Sequence, residues 1–369
     1  MLPEEHLEKA DSLRQASHYR EALKFYRLAS RGFEKTGDME GLFYAYTGAG
    51  DMLRMGGRYR EAEAFYRRAL EVAKRMRKGN LVADANTGIG LSLRGAGFWK
   101  DALTHFGRAR RHYRKNNDLE GLCFCLWSEA GAWRYRGLPL RSIELLQEAV
   151  MISRRLGNAE FEGYCLNALG GATRVAGRRH LSLKYYEKAN TLFHKLGEKF
   201  GLAYSYCGIG NALRMYERYD EAMAAFRKAI SIYDRIGDIV SSAYTRWSMG
   251  MTYIMKGRLH YAQRHLDKAL EYFSKTGDKR GTSYFLLAAA QIEAIRGDNK
   301  KALQKLKRAI KITDEHGFLL EHCHARTLYN HLYNESTGRT RSTMKTHTMD
   351  CYNKLGVTVR FRGIPFNIA

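Results

Sequence analysis

Residues 210–229 read Gly210-Asn-Ala-Leu-Arg-Met-Tyr-Glu-Arg-Tyr-Asp-Glu-Ala-Met-Ala-Ala-Phe-Arg-Lys-Ala229, and this order of small, large and turn-forming residues recurs along most of the chain. At a spacing of 40 residues the turn position Glu217 is occupied by Gly57, Gly97, Gly137, Gly177, Gly257 and Gly297, with Ser17 at the head of the series. Alanine holds its position in every copy, through Ala29, Ala69, Ala109, Ala149, Ala189, Ala229, Ala269 and Ala309. A second small position lies seven residues earlier, about two helical turns, from Ala22 and Ala62 to Ala262 and Ala302, with Ser142 and Ser182 among them. Four residues beyond that position stand Tyr26, Tyr66, Phe106, Tyr186 and Phe226. Small and large side chains therefore share one helix face, where a neighbouring helix can approach closely.

Before each turn runs a further helix with Gly50, Gly90, Ala130, Gly170, Gly210, Gly250 or Ala290 at one position. Glycine weakens a helix, so its recurrence predicts a tight crossing. Junctions such as Thr36-Gly37-Asp38, Leu156-Gly157-Asn158, Ile236-Gly237-Asp238 and Thr276-Gly277-Asp278 combine a left-handed helix stop with an Asp or Asn cap of the next helix. The expected unit is helix, turn, helix, turn. A period of this length outranks any local motif.

The small, large, turn, small, large, small order of Gly210, Leu213, Glu217, Ala222, Phe226 and Ala229 resembles the tetratricopeptide repeat signature, over roughly residues 4–334. The period exceeds the family's usual ~34 residues, and the common helix-ending proline is missing. The closer resemblance is to the longer-helix subclass found in cell-polarity adaptors, bacterial peptide-sensing regulators and a maltose-responsive transcription activator. HEAT and armadillo repeats share the period but not this pattern. The resemblance implies an all-α, right-handed α-solenoid superhelix of about eight helical hairpins plus a terminal helix, whose first helices line an inner groove. The division expected is a solenoid over 1–334 and a basic C-terminal tail over 335–369.

In the family register, four positions of each first helix point inward. One carries Tyr44, Asp84, Phe124, Tyr164, Tyr204, Tyr244 and Tyr284, a mostly aromatic ladder suited either to partner contact or to packing between helices. The next holds, among others, Trp127, Asn167 and Trp247, and a third has Asp51 and Asn211, where an Asn suits the backbone of an extended peptide. The last carries Arg14, Arg54, Arg94, Arg134, Arg174 and Arg214, and then Ile254 and Ala294. Guanidinium groups fork hydrogen bonds onto carboxylate or phosphate. The plainer alternative is that each arginine pairs with an acidic neighbour or caps a carbonyl. On the ligand reading, the acidic part of a partner lies toward the N-terminal end.

Sixty-two Lys and Arg against 38 Asp and Glu give a net charge of +24, which favours acidic partners. The leading expectation is a non-catalytic scaffold or adaptor holding an extended acidic peptide. Single-stranded nucleic-acid binding is the alternative, because arginines interleaved with aromatics also suit a strand, and a peptide-responsive module acting by sequestration is a third. There is no phosphate loop, no GxSxG, no HExxH and no paired-Cys zinc spacing, so neither an enzyme nor a cofactor is expected. Gly48-Ala-Gly50 and Gly208-Ile-Gly210 fall at helix crossings and follow no strand.

The start of the chain lacks a signal-peptide pattern and no run is long and apolar enough to span a bilayer, so a cytoplasmic location without membrane insertion is expected. The six cysteines show no CxxC pair and read as small packed residues in a reducing compartment. The cluster Glu321-His322-Cys323-His324 with His331 is not spaced to chelate one ion. His324 takes the ladder-tyrosine position and is read as structural or groove-lining. Beyond 334, residues 336–343 have a loop composition and 357–362 alternate as a strand would. A flexible basic tail is the simplest reading, with docking as a cap or occupancy of the groove as alternatives.

Overall fold

The computed structural model describes residues 2–16, 18–337 and 350–368. Ser17, and the expected loop from residue 338 on, lie outside them. Seventeen helices follow one another: α1 (Pro3–Gln15), α2 (Tyr19–Thr36), α3 (Met39–Met55), α4 (Tyr59–Arg75), α5 (Gly79–Gly95), α6 (Trp99–Lys115), α7 (Leu119–Arg136), α8 (Pro139–Arg155), α9 (Ala159–Val175), α10 (Arg179–Leu196), α11 (Lys199–Met215), α12 (Tyr219–Ile236), α13 (Ile239–Met255), α14 (Leu259–Thr276), α15 (Lys279–Ile295), α16 (Asn299–His316) and α17 (Leu319–Thr337). They form eight consecutive hairpins and a terminal helix. A short helical turn at 350–354 follows, and the described residues contain no strand. The strand expected over 357–362 is instead a segment without ladder pairing: Val357 N–H bonds Tyr352 O at 3.0 Å, closing the preceding helical turn, and Thr358 N–H bonds Ala176 O at 3.4 Å.

Both turn families have the backbone that the spacing predicts. The residues within hairpins (Gly57, Gly97, Gly137, Gly177, Glu217, Gly257, Gly297) and those between them (Gly37, Arg77, Asn117, Gly157, Gly197, Gly237, Gly277, Gly317) all have positive φ. At Gly57 the closing bonds are Gly57 N–H to Arg54 O at 3.0 Å and Arg58 N–H to Leu53 O at 2.8 Å, which satisfy the last carbonyls of α3. Asp38, Asn158 and Asp278 cap the helices that follow them, each accepting main-chain N–H bonds, as does Glu198 at α11.

The chain divides into two compact units, residues 1–132 with 236–240, and residues 133–235 with 241–369. Within the first, α1, α3 and α5 pack side by side; within the second, α9 packs on α11 and α15 on α17. The paired glycines explain how the first helices come so close. A Cβ on Gly48 would lie 2.3 Å from the Tyr26 ring of the preceding hairpin, and one on Gly50 would lie 2.9 Å from the Tyr66 ring of its own. Tyr66 is in turn faced by Gly88 of the next hairpin at 2.3 Å, and Tyr186 is gripped between Gly170 at 2.9 Å and Gly208 at 2.1 Å. Each G-x-G is thus a pair of sockets for aromatic rings, and no phosphate-binding loop is involved.

Candidate functional site

The arginine ladder divides according to whether an aspartate stands three residues before the arginine, as Asp11 and Asp51 do, since a tyrosine twelve residues further on follows Arg174 as well as Arg14 and Arg54. In the first hairpin Tyr26 OH donates to Asp11 Oδ1 at 2.5 Å and accepts from Arg14 Nε at 3.1 Å. The second repeats this at a shift of forty: Tyr66 OH donates to Asp51 Oδ1 at 2.7 Å, and Arg54 Nη2 reaches the same carboxylate at 3.2 Å. Where the third hairpin has Phe106, which offers no hydroxyl, Arg94 donates to Ser128 O at 2.9 Å and lies over Trp127. For Arg14, Arg54 and Arg94 the structure therefore has the plainer alternative: acidic or carbonyl partners within the chain.

The second unit is different. Among the described residues, Arg134, Arg174 and Arg214 form no ion pair. Gly171 stands where the first two hairpins have aspartate, and Arg134 Nη1 occupies the space a Cβ there would fill. Arg174 keeps Nε and Nη1 buried without a hydrogen-bond partner. Arg214 is 0% exposed and lies over the Trp247 ring, 5.7 Å from its centre. Its partners are all neutral: Asn211 Oδ1 at 3.3 Å, Ile368 O at 2.8 Å and Asn367 Oδ1. Burial first, and then the Arg174 charge beside it, push the Arg214 guanidinium down to about 9, which leaves it a cation at neutral pH.

The aromatic ladder divides too. Tyr164 OH donates to Glu198 at 2.8 Å and Tyr244 OH to Asp278 at 2.7 Å, so these rings tie one first helix to the acidic cap of the next. Tyr284 OH donates to Glu321 at 2.7 Å and is buried, as is Trp247, whose Nε1–H bonds Tyr284 O at 2.9 Å. Packing between helices accounts for these four. Tyr204 is half-buried beside Phe200. Tyr44 and Phe124 present open faces, Phe124 stacked on Trp127. Asn211 donates to Cys207 O at 3.1 Å. Asn167 is 1% exposed, and both polar atoms of its amide lack a hydrogen-bond partner.

Residues 350–368 lie on the second unit. Tyr352, Leu355 and Val357 are buried with Val175, Leu320 and Cys323, and Phe366 and Ile368 join the cluster around Trp247, Tyr284 and Leu328. Phe366 N–H donates to Gln291 Oε1, and Asn367 Nδ2 donates to Arg214 O at 3.0 Å. A cavity of about 110 Å³ remains beside this segment, lined by Arg174, Arg179, Met215, His324 and Asn367 among others. Cys323 and Cys351 form a disulfide with a Cα–Cα distance of 5.9 Å. That corrects the expectation of six reduced thiols, which holds for Cys123, Cys125, Cys165 and Cys207. The pair is 28 residues apart, a separation with no signature in the sequence.

His324 donates or accepts at Tyr352 OH, 2.8 Å away, and no metal-binding group exists among the described residues. Burial holds the imidazole neutral, its pKa lowered to about 4, with Glu321 favouring and Arg280 opposing protonation. A depressed folded-state value means that stability is complete above the ordinary histidine pKa and declines as pH falls toward 4. Unfolding should therefore cost ~2 kcal/mol less at pH 5 than at pH 7 on this account. Urea titrations at the two pH values check it, and His324→Asn should reduce the difference by about that amount. An undiminished difference would remove His324 from the explanation.

Sequence reading missed Gln291, although it stands two repeats after Asn211 in the same register and clamps a main-chain N–H as was expected of that position. It also missed Asn367, whose site appears only when the segment is in place. No helix among the described residues is long and apolar enough to cross a membrane.

Family models described as tetratricopeptide repeat match residues 5–75, 164–235 and 254–316. Among curated proteins none matches the chain by sequence. A solved Rap protein complexed with competence and sporulation factor has a TM-score of 0.70 at 16% identity, over 96% of this chain and 98% of that one. NprR in complex with its cognate peptide NprX gives 0.62 at 15%, over 95% and 96%. Aspartyl phosphate phosphatase F from Bacillus subtilis gives 0.51 at 13%, over 98% and 97%. At such identities the likeness is one of fold. The hairpins, their pinned rings and the matched segments agree: the chain belongs to the tetratricopeptide repeat family.

Proposed function

We propose that the protein is a non-catalytic interaction module whose second unit holds an extended peptide, with acidic side chains directed at Arg134, Arg174 and Arg214. The observation that carries this reading is the uncompensated set of guanidinium groups in three consecutive hairpins. In the first two hairpins an Asp–Tyr pair answers the same arginine, and here none does. A buried cation with unused N–H donors gains most from a carboxylate. Two solved proteins of this fold, a plasmid Rap conjugation gene regulator with the Phr* peptide and NprR with its cognate peptide NprX, hold peptides, which supports the reading. A phosphatase shares the fold, so architecture does not exclude catalysis, and the non-catalytic part of the proposal rests on the sequence, which carries no phosphate loop, GxSxG or HExxH.

On this proposal the acidic part of the ligand lies against the second unit, whereas the uninterrupted run of arginines in the sequence suggests the N-terminal end. Arg134→Ala with Arg174→Ala should weaken capture of acidic decapeptides from an arrayed library by about 100-fold or more, two charge-assisted contacts being lost, while far-ultraviolet dichroism is unchanged. Equal capture by the double variant removes the ladder from the mechanism. Labelled single-stranded RNA and DNA, titrated at several salt concentrations, supply the competing outcome: tight binding with a steep salt slope would replace the peptide by a strand.

A further inference from the structure

Resting on the peptide-groove reading, a further point concerns what the groove already contains. Residues 362–368 cross it as a segment that bends at 363–365 and closes a tight turn, Ile368 N–H to Phe366 O at 3.0 Å, and it is held by two kinds of contact. One is indifferent to sequence: Gln291 Oε1 accepts the main-chain N–H of Phe366, and Arg214 Nη2 donates to the main-chain carbonyl of Ile368. The other reads side chains. Phe366 and Ile368 are buried among Trp247, Tyr284 and Leu287, and Asn367 exchanges two hydrogen bonds with Arg214, its Oδ1 accepting one from the guanidinium and its Nδ2 donating one to the main-chain carbonyl. Main-chain clamps combined with pockets for alternate side chains are how a groove recognises a peptide. Asn367 presents an amide oxygen to a fully buried cation that no carboxylate among the described residues accompanies. An aspartate there would have the same shape and add the missing charge.

The segment is also tied down. The Cys323–Cys351 disulfide fastens its upstream end to α17, which confines it near the groove and raises its effective concentration there.

We propose that residues 362–368 are a resident ligand of the groove, that the partner is an extended peptide with an aromatic–acidic–aliphatic sequence that displaces them, and that the Cys323–Cys351 disulfide is the latch. Opening the latch is a two-electron reduction by a dithiol. One thiolate attacks a sulfur of the pair, the S–S bond breaks, and the second thiolate releases the mixed disulfide. The dithiol leaves as a cyclic disulfide, and both cysteines end as thiols after taking up two protons.

The test uses the full chain, oxidised, with two fluorescein-labelled octapeptides, RGIPFNIA and RGIPFDIA. Both should bind the wild type weakly. Both should bind about tenfold or more tightly to the Phe366→Ala, Asn367→Ala double variant, because the competent fraction rises. Dithiothreitol treatment, or Cys351→Ser, should shift the wild type the same way and guards against a folding defect in the double variant. In every opened form the Asp peptide should bind about tenfold tighter than the Asn peptide. Hydrogen exchange reports the resident segment directly: the Phe366 amide should be protected in the oxidised wild type and exposed after reduction. An unprotected Phe366 amide, or equal peptide affinity in closed and opened forms, overturns the proposal. If opened forms ignore both octapeptides yet still capture acidic decapeptides, the resident-ligand proposal falls and the groove reading stands. If they capture neither, the groove reading falls with it.

Discussion

Glu321→Ala is expected to destabilise the protein by ~3–5 kcal/mol, because it leaves a buried guanidinium without its counter-charge. Glu321 is 0% and Arg280 7% exposed, and they meet at 2.7 Å. Arg280 Nε also donates to the same carboxylate at 2.8 Å, and Tyr284 OH donates to it at 2.7 Å, while the Tyr135 ring covers the guanidinium 4.6 Å away. Burial of both groups leaves little access for solvent to replace a lost partner. The carboxylate also joins α15 to α17, the helix to which Cys351 is bonded. Chemical denaturation of the variant, followed by helicity, gives the loss; a loss below about 1 kcal/mol would mean that the site rearranges to admit solvent. The companion variant replaces both ions by apolar residues, Glu321→Leu with Arg280→Met, and should recover most of the stability. Removing a buried pair together is commonly neutral, and removing half of it is not.

Gly208→Ala should destabilise by ~1–3 kcal/mol, although alanine ordinarily stabilises a helix interior by up to ~1 kcal/mol relative to glycine. The sign is reversed by Tyr186. A methyl group on Gly208 would stand 2.1 Å from two carbons of that ring, and the ring also packs close to Gly170, where even a Cβ would lie only 2.9 Å away, so it has little room to give. A control separates packing from propensity. Gly107 lies in α6 with only the Arg111 guanidinium near, 3.9 Å from its ideal Cβ, so Gly107→Ala should stabilise. Measured midpoints moving in opposite directions would support the socket description. If both substitutions stabilise, the ring is free to shift and the close crossing is not what selects glycine.

The fold was legible because a forty-residue period repeats the same physical demands eight times, and a demand met at Ala29 and again at Ala309 cannot be local accident. The site was less legible. Arg14 and Arg214 occupy equivalent positions, yet one is answered by Asp11 and Tyr26 and the other by Asn367, which lies at the far end of the chain. Part of this difference was present in the sequence: Asp11, Arg14 and Tyr26 recur as Asp51, Arg54 and Tyr66 and then dissolve into Leu91, Arg94 and Phe106. Reading three positions together separates arginines answered by an Asp–Tyr pair from the others. The rest depends on contacts across sequence distance. The alternation of apolar and polar residues over 357–362 suits a strand, but the segment lies on the α9–α10 turn, with Thr358 O 2.5 Å from where a Gly177 Cβ would be, and pairs with no extended neighbour among the described residues. Burial of Val357 and Phe366 on the second unit takes the place of sheet formation.

The shared rings also set the currency in which the protein can change length. Tyr66 touches a glycine of its own hairpin and one of the next, so the spacing between those two glycines is fixed by a single side chain. One residue inserted in α5 between Leu81 and Gly88 would turn the helix by about 100° and carry the socket away from its ring. The same residue inserted at the Arg77 turn would leave both sockets aligned. Growth or loss should accordingly be tolerated in whole forty-residue modules, or in the junctions, and in no intermediate step.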